Sequence, residues 1–181
     1  MGKDFTAYLG HNLDENHIYR MCHALNGDQF VAINSFVKEL YEFNPNDISL
    51  VWKVDSEGIG GTQDIYGPCG FNFTFSEKVC YFHHYIRWDA FLQNEDFQIK
   101  LRKVTYELSQ YFQSSFAIYV PDNATKESSI IDFIWDDENR SIEYIVSWLE
   151  KECSAPKKTF KELVGSDGYY IDFFIDIKNL D

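Results

Sequence analysis

Basic residues are scarce in this chain: 16 Lys and Arg stand against 29 Asp and Glu, a formal net charge of −13. Such a surface repels a phosphate backbone and lacks the basic stripe that non-specific nucleic-acid binding needs, so no nucleic acid is expected as a partner. The same repulsion acts at anionic membrane surfaces. No apolar run approaches the roughly 20 residues of a spanning helix, and no membrane role is expected. The first residues, Met1 to Tyr8, lack a basic segment followed by an apolar stretch and a cleavage site, so they do not read as a secretory signal, and a cytoplasmic location is expected. Gly2 and Thr6 fit a myristoylation pattern only loosely, and the alternation that follows predicts burial of this segment in a strand. Cysteines are few and scattered. Cys22, Cys69, Cys80 and Cys153 lack the dense spacing of a disulfide scaffold and read as free thiols in a reducing compartment. The glycosylation triplets at Asn72, Asn123 and Asn139 are read as chance matches.

What is present is a large apolar complement. Hydrophobic residues make up 45% and aromatics 18% of 181 residues, which is enough to bury a core and well away from the composition of disordered chains. Neither an internal repeat nor a linker is visible, so residues 1–181 are read as a single globular domain.

Periodicity divides the chain into elements. Phe5, Ala7 and Leu9 alternate as a first strand, and Ile18, Met21, Cys22 and Leu25 recur at helical spacing behind a cap at Asn12 or Asp14. A second helix runs from a cap at Asp28 to the break at Asn44-Pro45. Ile48, Leu50, Trp52 and Val54 form a strand face, and the stretch from Asp55 to Gly70 is the longest irregular connection. Phe71 to Phe75 and Val79 to Trp88 make a hairpin, and a long helix capped by Asn94 carries Phe97, Leu101, Val104, Leu108 and Phe112. Phe116, Ile118 and Val120 form a strand that the helical crossover allows to lie parallel to an earlier one. Ser128 to Trp135 and Ile142 to Leu149 have helical periodicity, Ser154-Ala-Pro opens a helical turn, and Tyr169 to Ile177 alternates as a closing strand. That strand is expected to bury Phe173 and expose Asp172 and Asp176. The order predicts an α+β (mixed α/β) fold: a single mixed, largely antiparallel sheet packed with about five helices.

Short motifs give no reaction. Cys80, His83 and His84 cluster in sequence, but on an extended strand Cys80 and His83 point to opposite faces while Cys80 and His84 lie about 13 Å apart. They do not grip one zinc ion, and no metal or cofactor is expected. Cys22 and His23 diverge by about 100° on a helix and are no nucleophile–base pair. Asp172 and Asp176 are too far apart on a strand for a glycosidase pair, Asp136-Asp137-Glu138-Asn139 lacks the rest of a calcium loop, and Gly58-Ile-Gly-Gly has no phosphate-loop lysine.

Charge placement is the most informative feature left. From Asp122 to Glu152 the chain carries Asp122, Glu127, Asp132, Asp136, Asp137, Glu138, Glu143, Glu150 and Glu152 against Lys126, Arg140 and Lys151, with Trp135, Tyr144 and Trp148 interleaved. Aromatic anchors set among complementary charge are common in tight interfaces. Asp132, Trp135, Asp136, Asp137, Glu138, Glu143 and Trp148 are therefore the candidate binding residues, no catalytic residue is assigned, and a basic protein is the expected partner. In size, charge and aromatic content the chain resembles small acidic immunity proteins that neutralise basic toxins, without a motif that matches residue by residue. The alternative is a small enzyme or small-molecule-binding protein whose site is assembled from separate elements.

Overall fold

A computed structural model describes residues 3–43, 50–55, 63–122 and 140–177. Seven strands form one antiparallel sheet: β1 (Asp4–Gly10), β2 (Lys53–Asp55), β3 (Gln63–Tyr66), β4 (Phe71–Phe75), β5 (Val79–Arg87), β6 (Ala117–Pro121) and β7 (Tyr170–Asp172), in the order β2-β3-β4-β5-β1-β6-β7. Five helices accompany it among the described residues: α1 (Glu15–Leu25), α2 (Val31–Phe43), α3 (Trp88–Gln93), α4 (Glu95–Phe112) and α5 (Ile142–Cys153). The fold is α+β, as the element order implies, and none of these helices is long and apolar enough to cross a membrane.

The register explains why aromatics are so abundant. Val54, Ile65, Phe73, Phe82, Ala7, Tyr119 and Tyr170 pair in one continuous row across all seven strands. This row belongs to the larger core cluster, where Phe73 and Phe82 are fully buried against Met21, Ile33, Phe91, Leu101 and Leu108 of the first four helices. Burying a phenylalanine side chain there contributes about 1.5 to 3 kcal/mol each. The opposite face carries a smaller cluster of Tyr8, Val79, Ile118 and Val120 beneath Ile142, Ile145 and Leu149 of α5. Helices thus cover both faces, and β1 is buried along its five central residues.

Local chemistry sets the helix starts. Asp14 accepts from the His17 N–H, Asn94 accepts from the Asp96 and Phe97 N–H groups, and Ser141 accepts from the Tyr144 N–H. The start of α2 differs from the expected cap at Asp28. Glu107 of α4 reaches across instead, accepting from the Ala32 N–H at 3.2 Å and the Ile33 N–H at 3.0 Å. A carboxylate on the positive end of a helix is favourable whichever element supplies it.

Three further expectations are corrected. The segment between Asp55 and Gly70 contains β3 and a 3-10 turn at Pro68–Gly70, because Ile65 supplies a core residue paired with Phe73. The strand after α4 is antiparallel to its neighbour β1. It does run in the same direction as β5, since both oppose β1, but β1 sits between them. The closing strand is shorter than its alternation suggests: β7 ends at Asp172, the chain turns at Phe174 with φ 57°, and Phe173 and Ile175 are 58% and 88% exposed. The predicted helices at Ser128 to Trp135 and the strand residue Ile48 lie outside the described residues.

Asp172 is 2% exposed, the reverse of its expected position, because the sheet is covered on both faces and its side of β7 faces α4. Arg102 donates to Asp172 Oδ2 from Nε at 2.6 Å and to Oδ1 from Nη2 at 3.1 Å, and also donates to Asp176 Oδ1 at 2.6 Å. Burial favours the neutral guanidine, yet the hydrogen bonds it donates to Asp172 and Asp176 outweigh this and hold Arg102 above its ordinary value. Asp172 Oδ1 additionally accepts from the Phe174 N–H at 2.8 Å, which fixes the left-handed turn. Removing one partner of a buried pair leaves an uncompensated charge, so Asp172→Ala is expected to destabilise by about 3 to 5 kcal/mol, and Phe173→Ala by less than about 1 kcal/mol. Urea unfolding of the two variants checks this; equal losses would contradict the assignment of faces.

Candidate functional site

The second face of the sheet is split by polarity. On the β6 side it is apolar and lies under α5, whereas on the β3 and β4 side the register places Asp64, Thr74 and Tyr81 in one row and Tyr66, Asn72, His83 and Thr6 in the next. Asp64 is 8% exposed, and its Oδ1 has no hydrogen-bond partner among the described residues; the same holds for Asn72 Oδ1. A buried acceptor without a donor costs about 1 to 3 kcal/mol, and two of them lie in adjacent rows on this half of the face.

Three side chains converge at the end of this polar half. Asp4 on β1, His83 on β5 and Asp122 just beyond β6 each place one ligand-type atom within 4.8 Å of the other two. The ladder brings them there: Asp4 N–H donates to Asp122 Oδ1 at 3.0 Å, and Asp122 N–H donates to the Asp4 carbonyl at 3.1 Å. Between Asp4 and Phe5 the β1–β5 register shifts, so that Arg87 faces Asp4 while His84 still faces Phe5. That irregularity re-aims a side chain, as bulges beside functional sites do. Arg87 Nη1 donates to Asp4 Oδ1 at 2.7 Å, and His83 Nε2 lies 3.7 Å from Asp4 Oδ2.

No family model, curated protein or solved structure matches this chain. Its site is therefore read from its own chemistry. Burial lowers the His83 imidazole below its ordinary value against the pull of Asp4 and Asp122, which leaves it neutral at neutral pH. Tyr81 stacks on His83 with ring centroids 6.2 Å apart, and burial, with Asp122 and Asp4, pushes its phenol up. The arrangement offers a neutral imidazole between two carboxylates, a set able to accept a proton or to ligate a cation.

The residues singled out by sequence are distributed differently. Asp132, Trp135, Asp136, Asp137 and Glu138 lie outside the described residues. Glu143 is exposed on the first turn of α5, and Trp148 is half-buried against the smaller core cluster. Five residues on a helix correspond to about 140°, so Glu143 and Trp148 do not form one surface. Tyr144, at 41% exposure, is the aromatic that faces solvent, with the Arg140 guanidinium 4.2 Å above its ring. Among the described residues of the acidic run, Asp122 is the one that joins the cluster at Asp4 and His83.

Cys22, Cys80, His11 and His84 are buried side chains. Cys22 is buried and its thiol is pushed up by burial, while His23 next to it is exposed. Cys80 and His84 do share the core face, with His83 on the opposite one. His84 is fully buried between Phe36 and Phe71, and burial pulls it down to about 3. His11 is pulled down to about 4 by burial; its Nδ1 accepts from the Leu13 N–H, so Nε2 donates to the Ser76 carbonyl at 2.9 Å.

These two histidines stay neutral in the fold but protonate near 6.5 when the chain unfolds. Below that value the unfolded state binds more protons, so their stabilising contribution is complete above about pH 6.5 and is lost as pH falls toward 4. Between pH 7 and pH 5 the expected loss is about 2 kcal/mol for each. Urea midpoints across that range, with imidazole proton shifts of His11 and His84 that stay constant to pH 5, check it; a flat stability profile contradicts it.

Proposed function

We propose that this chain is a non-enzymatic acidic binding domain that presents the surface of residues 122–152 to a basic protein partner, in the manner of an immunity-like inhibitor. The observation that carries the reading is the placement of charge on α5: Glu143 and Glu150, about 20° apart around the helix, face solvent with exposed Tyr144, while Ile142, Ile145 and Leu149 anchor the other side to the sheet. A helix fixed by its apolar face presents its acidic face at a defined angle, which favours complementary docking over diffuse attraction. The net charge of −13 argues against nucleic acid in the same role.

A second reading is supported by a separate observation. The convergence of Asp4, His83 and Asp122 from three strands suits an enzyme whose site is assembled from distant segments.

Attraction between an acidic and a basic face acts mainly on the rate of encounter and is screened beyond about 8 Å at physiological ionic strength. Replacing Asp136, Asp137 and Glu138 with Asn, Asn and Gln nearly keeps shape and removes three charges. The association rate with a partner captured at low salt is expected to fall about tenfold, and more steeply in wild type than in the triple variant as salt rises. Stopped-flow kinetics across an ionic-strength series reads both. Captured partners that are acidic, or a rate indifferent to salt and to the substitutions, would refute the reading.

A further inference from the structure

The cluster of Asp4, His83 and Asp122 has the makings of more than a polar patch. Its donors come from three adjacent strands, so the ladder of β5, β1 and β6 holds their backbones in fixed relation. Two donors bound to one zinc ion at about 2.1 Å each sit about 3.4 Å apart in a tetrahedral site. His83 Nε2 and Asp4 Oδ2 are already 3.7 Å apart. The three ligand atoms all lie within 4.8 Å of one another, so side-chain movements of about 1.4 Å or less bring them to that spacing.

The carboxylates are also oriented from behind. Arg87 holds Asp4 through Oδ1, on the other oxygen from the one nearest His83. The Asp4 N–H holds Asp122 through its Oδ1. Hydrogen bonds of this kind fix the direction of metal-ligating carboxylates in known sites. An independent observation lies in the neighbouring strand: Asn72 pairs directly with His83 in the β4–β5 register, and its buried amide oxygen has no hydrogen-bond partner among the described residues. Asn72 and His83 share one face of the sheet, so an acceptor without a donor stands beside the histidine of the cluster.

From this geometry we infer that Asp4, His83 and Asp122 form a binding site for a divalent transition-metal ion, zinc in preference to magnesium, with water completing the coordination. The preference follows from the donor set. One imidazole nitrogen with two carboxylates suits zinc, whereas magnesium and calcium take oxygen donors. The site revises the expectation of no metal, which considered His83 only with Cys80 and His84 on its own strand. It shares Asp122 with the acidic-surface reading but uses none of the residues substituted to test that reading, so the two experiments fail separately.

The test is calorimetric titration of the chelator-treated full chain with zinc chloride and, separately, magnesium chloride. One zinc per chain is expected, with magnesium at least 100-fold weaker. His83→Gln and Asp122→Asn should each weaken zinc binding at least tenfold with unchanged circular dichroism, whereas His17→Gln, at an exposed histidine on α1, should leave it unchanged. The His83 ring resonances of the wild-type chain should shift with the first equivalent of zinc, a readout that does not depend on any variant folding. Absence of stoichiometric zinc, unchanged affinity in both site variants, or unmoved His83 resonances would overturn the site.

Discussion

The double pairing of β1 is the constraint on which the rest of the molecule depends. This strand donates to and accepts from β5 on one side and β6 on the other, and it is covered on both faces. Every backbone polar group in such a strand needs a partner in the ladder, since water does not reach it. A central position with no solvated face also explains the composition of its neighbours: strands flanking it carry apolar residues on both sides, and the two sets of helices have to supply apolar stripes to meet them. The abundance of phenylalanine and tyrosine is thus a requirement of a sheet filled from two directions.

The same pairing brings distant residues into one place. At one end of β1, Asp4 meets side chains from β5 and from the exit of β6; at the other, Gly10 leads into His11, whose ring is held by Ser76 and Leu13. The polar half of the second face and the Asp4 cluster adjoin, while α5 covers the apolar half. The Asp4 cluster and α5 therefore lie on the same side of the sheet.

Much of the fold was legible in sequence because periodicity reports local burial. α1, α4 and α5 followed from apolar spacing and caps at Asp14 and Asn94, and the β4–β5 hairpin followed from its alternation. What escaped was set by long-range pairing. Asp172 reads as solvent-facing from its neighbours, but its environment is decided by Arg102, 70 residues earlier. The cap of α2 comes from Glu107, which local capping rules do not consider. β3 has one strongly apolar residue, Ile65, too weak a pattern to stand out between glycines. The Asp4–His83–Asp122 cluster left no motif, since its members meet only through a register that includes an irregularity; the signal available in advance was that Asp4 and Asp122 stand at or near the ends of predicted strands. The proposed acidic surface was visible as charge, yet Trp148 shows that an aromatic beside acidic residues answers to the core first.

The insertion of β1 between β5 and β6 has a consequence for how the chain reaches this state. Asp4 and Asp122 are 118 residues apart, so β1 gains its β6 neighbour only after the long stretch between them has been made. Until then the β2–β5 meander ends in an uncovered edge at β5, and the β6–β7 pair ends in another at β6. Such edges are templates for pairing with foreign strands. β1 seals both edges, and pairing across so long a loop is the kind of non-local contact that forms slowly and leaves edges open in the meantime.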